Sequence, residues 1–80
     1  MVVHFYTRQG CHLCDDALAV VERVRAAQPF ELEIVDVDSD PALARQYGEE
    51  VPVVLVDGRK HAKLRVDEQA LRRRLAAVPA

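Results

Sequence analysis

Two cysteines, Cys11 and Cys14, are the residues of this 80-residue chain best able to do chemistry. With two residues between them they can close as a disulfide or offer two thiolates to a metal ion. A bridge over so short a loop constrains the unfolded chain little, so a stabilising role does not account for the pair. The stretch Thr7-Arg8-Gln9-Gly10-Cys11-His12-Leu13-Cys14 puts Cys11 between a β-rich run and the start of a helical pattern. The unpaired N–H groups of a first helical turn, with the helix dipole behind them, favour an anion such as a thiolate at that spot. The thiol pKa at such a position falls from about 8.5 into a range of roughly 3.5–7.5. Cys11 is therefore the candidate nucleophile, and Cys14, one turn further in, the candidate resolving thiol that attacks a mixed disulfide made by Cys11. Arg8 can add positive charge near the thiolate, while Asp15 and Asp16 oppose it in sign and favour the helix. His12 either steadies the thiolate when protonated, shuttles a proton during exchange, or is an exposed spacer.

The elements that must position this pair are legible on either side of it. Val2 to Thr7 is apolar on both faces apart from His4, which predicts a strand buried within a sheet. Within it, His4 is expected to be a hydrogen-bonded structural residue, and Tyr6 to pack in the core or flank a groove. From Cys11 onward, Leu13, Ala17, Val20, Val21 and Val24 recur at helical spacing until Pro29 stops the helix. Phe30, Leu32 and Ile34 alternate with Glu31 and Glu33, as in a half-exposed strand near a sheet edge. Asp38, Ser39 or Asp40 can cap a short second helix with Pro41 in its first turn, and Gly48 suits a left-handed turn at its end.

Val53 to Val56 is an unbroken branched and apolar run, hence a central strand, and Asp57-Gly58 is a two-residue hairpin signal. The partner strand is expected over about 60–66, with Ala62, Leu64 and Val66 on one side and His61, Lys63 and Arg65 on the other, His61 facing solvent. Asp67 can cap a last helix whose Leu71, Leu75 and Val78 form one stripe. Arg72-Arg73-Arg74 falls late in that helix, where cations complement the dipole.

Glu50-Val51-Pro52 leads straight into the central strand, where a proline cannot donate to the ladder. A proline at that point is either an ordinary trans residue or a cis one. A cis bond would turn the Val51 backbone outward and leave its N–H and C=O free to pair with an extended thiol substrate.

Composition sets the outer bounds. Half the residues are hydrophobic and 30% are charged, the balance of a globular chain, and the length fits one domain spanning residues 1–80. A formal net charge of -2 supplies no electrostatic footprint for nucleic acid. Met1-Val2-Val3-His4-Phe5-Tyr6 reads neither as a secretory leader nor as a membrane segment, so a cytoplasmic monomer without membrane or nucleic-acid partners is expected.

Phe5-Tyr6-Thr7-Arg8-Gln9-Gly10-Cys11-His12-Leu13-Cys14, Val51-Pro52 before a strand and the Asp57-Gly58 hairpin together resemble the glutaredoxins, and most closely the short glutaredoxin-like proteins of bacteria. The resemblance runs roughly from Val2 to Val78. It implies an α/β thioredoxin-like fold of order βαβαββα, a four-stranded mixed sheet with helices on both faces, and thiol–disulfide exchange with glutathione or protein thiols. By that similarity Cys11 takes the nucleophile's place, Cys14 the resolving one, Pro52 that of the cis-proline, and Arg8 that of a basic residue near the thiolate and the glutathione carboxylate. With His12 and Val51 these make up the expected catalytic and substrate-binding set.

The departures from the pattern are specific. His12 and Leu13 stand between the cysteines in place of proline and tyrosine, and Glu50 precedes Val51-Pro52 in place of threonine. Lys63-Leu64-Arg65-Val66-Asp67 replaces the glycine-rich acidic turn that grips the far end of glutathione. Glutathione as co-substrate and a protein dithiol as reductant therefore both stay open, with disulfide-containing proteins as substrates and no bound cofactor. Two other readings remain beside this one. In the first, a metal module holds zinc or an iron–sulfur cluster through Cys11, Cys14 and His12, although structural zinc wants four ligands. In the second, the domain is a redox-inert interaction module whose cysteines are incidental.

Overall fold

The computed structural model describes residues 1–76. Its elements run β1 (Val2–Thr7), α1 (His12–Ala27), β2 (Glu31–Asp36), a short 3-10 turn (Val37–Ser39), α2 (Pro41–Tyr47), β3 (Val53–Val56), β4 (Arg59–Lys63) and α3 (Glu68–Ala76). The strands form one four-stranded sheet in the order β2-β1-β3-β4. β1 runs parallel to β2, pairing Val3 with Leu32 and Phe5 with Ile34. β3 is antiparallel to both β1 and β4. The β-rich runs at the start and in the middle of the chain are thus the two central strands, as their apolar character on both faces requires.

Successive strand residues point to opposite faces, and this alternation assigns the helices. Val3 and Phe5 of β1 and Val54 and Val56 of β3 join Ala17, Val21 and Val24 of α1 and Leu71 and Leu75 of α3 in one buried cluster. Tyr6 points the other way and meets Tyr47 of α2, ring centroids 4.7 Å apart, so α2 covers the opposite face. Helices on both faces of a mixed sheet make the fold thioredoxin-like. Burying a side chain the size of Phe5 or Leu71 contributes roughly 1.5–3 kcal/mol, and both are fully buried. An ion pair from Arg23 to Glu68, 3.0 Å, ties α1 to α3.

Several expectations change at the ends of elements. β4 stops at Lys63 rather than continuing to Val66. A register shift between Val54 and Leu55 breaks the simple alternation, and Leu64 turns the chain at φ 67. His61 sits at this irregularity and is half-buried, not solvent-facing. Burial first, and then the positive charge of Arg74, hold its pKa below the ordinary imidazole value.

Gly48 ends α2 in the right-handed region at φ -53, so the left-handed cap is not its role. A Cβ there would run into the Ala44 carbonyl and come within 3.1 Å of the Arg8 guanidinium, so close packing accounts for the glycine. By contrast the Asp57-Gly58 hairpin takes positive φ at both positions, 49 and 82, as its sequence predicts. Asp40 caps α2 through the Ala42 N–H at 2.9 Å, and Asp67 accepts from Gln69 N–H at 3.0 Å at the start of α3. Val78 of the expected α3 stripe lies outside the described residues.

Candidate active site

α1 begins at His12, and Cys11 is its N-cap, with extended backbone at φ -90 and ψ 102. Gly10, at φ 77, makes the turn that delivers Cys11 from the end of β1 to this position. The Cys14 N–H donates to Cys11 Sγ over 3.0 Å, and the Asp15 N–H to the Cys11 carbonyl over 3.3 Å. The sulfur thereby takes the place that a serine or aspartate oxygen holds at an ordinary helix start. Cys11 and Cys14 are joined as a disulfide, with Cα atoms 5.2 Å apart. Their surroundings differ: Cys14 is 2% exposed within the core, whereas Cys11 is half-buried at the surface.

The Val51-Pro52 peptide bond is cis. The Val51 carbonyl oxygen lies 4.0 Å from Cys11 Sγ. Among the described residues neither the N–H nor the C=O of Val51 has a main-chain partner. Leu64 closes the turn around them, its N–H shared between the carbonyls of Pro52 at 2.8 Å and Glu50 at 3.2 Å.

The structure thus brings Cys11, Cys14, Val51 and Pro52 together. His12 lies exposed at the first position of α1, between the two cysteines. Arg8 is half-buried, and its guanidinium is committed elsewhere: Nε and Nη2 donate to the two oxygens of Asp38 at 3.0 and 2.8 Å, and Nη1 to the Gly48 carbonyl at 2.9 Å. The hydrogen bond from Arg8 holds the Asp38 carboxyl below the usual carboxylate range. Glu50 is also occupied, by Lys63 at 2.9 Å and Lys60 at 3.6 Å. Its carboxyl is held low chiefly by the Lys63 hydrogen bond and then by the charge of Lys60.

Sequence reasoning missed Asp38 and Gly48 as partners of Arg8. They lie 30 and 40 residues along the chain, and no local spacing announces such a contact. His4 engages Glu33 through Nε2 at 3.0 Å, and Tyr6 packs beside the buried cluster. Among the described residues no three of His, Cys, Asp and Glu converge as a metal-binding group. None of the described helices is long and apolar enough to cross a membrane.

The fold and the Cys11–Cys14 pair define a thioredoxin-superfamily domain. Residues 2–76 match the model of the glutaredoxin-like domain (DUF836) family, and the chain belongs to that family. The uncharacterized protein Rv0508 of Mycobacterium tuberculosis is 34% identical over 79 residues, covering 92% of this chain and 81% of that protein. The X-ray structure of the structural-genomics target XcR50 from X. campestris is 35% identical with a TM-score of 0.80, over 96% of this chain and 99% of that one. A thioredoxin from Halobacterium salinarum is 29% identical with a TM-score of 0.69, over 98% of this chain and 77% of that one.

Proposed function

We propose that this protein is a thiol–disulfide oxidoreductase that cycles Cys11 and Cys14 between dithiol and disulfide. The observation that carries the reading is the asymmetry of the pair. Cys11 is half-buried at the mouth of α1, where its sulfur already accepts an amide hydrogen bond; Cys14 is buried in the core behind it. An acceptor position of this kind stabilises the Cys11 thiolate against its protonated form.

In the reductive direction the Cys11 thiolate attacks one sulfur of a substrate disulfide. A Cys11–substrate bond forms, the substrate S–S bond breaks, and the first substrate thiolate leaves. The Cys14 thiol loses its proton and attacks Cys11 Sγ, which forms the Cys11–Cys14 bond and releases the second substrate thiolate. Two electrons pass from the dithiol to the substrate, whose two sulfurs end as thiols. Glutathione or a protein dithiol then returns the pair to its reduced form, and a reducing cytoplasmic setting suits that cycle. The N–H and C=O of Val51, which have no main-chain partner among the described residues, suit an extended substrate segment laid beside Cys11, in the manner of an added strand. His12, exposed at the helix start, faces solvent where it can give or take a proton.

A reductase assay offering glutathione and thioredoxin reductase in parallel, with Cys11→Ser as control, tests this reading. Turnover with either donor that is lost in Cys11→Ser supports it. A Cys11 thiol pKa at or above about 8.5 removes its physical basis.

A further inference from the structure

The molecular surface carries a groove of about 260 Å³ between the first turns of α1 and the segment that follows β4. Leu13, Ala17 and Val20 form one wall, at the spacing of a single helix face, and Leu64 and Val66 form the other. We propose that this groove is a side-chain subsite selecting extended polypeptide disulfides with a large apolar residue beside the cysteine, in preference to glutathione. The proposal rests on the redox reading above and names the substrate class of that same site.

Leu13 and Leu64 are 41% and 42% exposed, so two of the four exposed large apolar residues among the described ones sit on this groove. Leu64 is held there by the fold, not by its own preference. Its φ of 67 is one that branched residues rarely adopt, and its N–H is fixed by the Pro52 and Glu50 carbonyls. Those two bonds fasten the groove wall to the carbonyls on either side of Val51. The opposite wall begins at Leu13, between the two cysteines. A strand paired to Val51 presents its side chains alternately to the two sides, so one of them can enter the groove while a neighbouring cysteine meets Cys11.

Charge points the same way. Asp16 and Arg65 line the groove with one charge of each sign. Arg8 is taken up by Asp38, and Lys60 and Lys63 by Glu50. Glutathione, with two carboxylates and no large apolar side chain, finds one cation in the lining, Arg65, and leaves the apolar walls wet. A leucine- or phenylalanine-bearing segment covers those walls and asks for no counter-charge.

The test uses two short peptides that differ only in a leucine or a serine next to the cysteine, each as a mixed disulfide with the same small thiol. Glutathione disulfide is the third substrate, and dithiothreitol recycles the full chain. The expected kcat/KM for the leucine peptide exceeds that for the serine peptide by about tenfold or more, the scale of filling an apolar pocket. Leu64→Asn, whose new side chain tolerates positive φ, and Leu13→Ser each bring that ratio close to unity. Ile34→Asn, at the far edge of the sheet, keeps it. Equal rates on all three substrates, or an unchanged ratio in both groove variants, overturn the subsite and leave the redox reading standing. Reduction of none of the three overturns both.

Discussion

The backbone N–H of Cys14 reaches Cys11 Sγ over 3.0 Å, so the second cysteine supplies part of the electrostatic support for the first. Cys11 is also the cap of α1, which makes its sulfur structural as well as chemical. Under reducing conditions Cys11→Ala removes the acceptor and is expected to cost about 0.5–2 kcal/mol, whereas Cys11→Ser retains it and costs less. Urea unfolding of both variants measures the difference, and equal stabilities contradict the capping role.

Cys14 stands behind Cys11 and is 2% exposed, which orders the two chemical steps. Cys14→Ser is expected to carry out the first attack and then stall as a Cys11–substrate mixed disulfide. Mass spectrometry after a brief exposure to a disulfide substrate should find that adduct on Cys11. An adduct on Cys14 in a Cys11→Ser protein, formed at a comparable rate, would reverse the assignment.

Gly48 sets helix propensity against packing. Alanine in a right-handed position gains up to about 1 kcal/mol over glycine. Here the added methyl meets the Ala44 carbonyl and the Arg8 guanidinium, and such overpacking costs about 1–3 kcal/mol. Gly48→Ala is therefore expected to destabilise, and its chemical-denaturation midpoint is the check. A rise in that midpoint would show that the Arg8 fork yields freely.

Leu71 is fully buried between α3 and the sheet, while Ile34 is 52% exposed on the outer strand. Leu71→Ala is expected to cost about 2–5 kcal/mol, a large part of the stability of so small a domain. Ile34→Ala should stay within about 0.5 kcal/mol, as for most surface positions. Comparable losses in the two variants would misplace the core.

Acid should weaken the fold in two stages. The folded His61 pKa lies below its ordinary value of about 6.5, so between the two values the unfolded chain binds more protons. Its contribution is complete above the ordinary value and is lost as pH falls through that window. The carboxyls of Asp38, Glu50 and Glu68 are all held below the usual range by cationic partners. Their contributions are present above the unfolded carboxylate range and disappear as pH falls through the lowered folded values. Urea midpoints should therefore decline from neutral pH downward, and His61→Gln should remove the upper stage. A midpoint that rises on acidification from neutrality would reverse the sign.

The parts of the fold that were readable from the sequence are those dictated by neighbours along the chain. The β1 and β3 runs, the change of period at Cys11, the Pro41 start of α2 and the Asp57-Gly58 turn each carry a local signal, and each falls where that signal puts it. For Leu64 and His61 the sequence predicts one continuous strand, because alternation alone cannot reveal a register shift imposed by the opposite strand. At Gly48 the sequence suggests a left-handed cap because glycine has two uses, and only the tertiary position of Arg8 distinguishes them. The cysteine pair and Val51-Pro52 were legible as candidates for a site. The Arg8–Asp38 bond, across 30 residues, exists only once β1 and β2 lie side by side.

β2 pairs with β1 along one side only, and its outer margin bears Glu31, Glu33 and Asp36 around the exposed Ile34. If two molecules met there in antiparallel fashion, carboxylates would confront carboxylates before any new ladder could zip. The same acidic trim that leaves an apolar residue bare to solvent thus discourages the domain from seeding ribbons with its own copies.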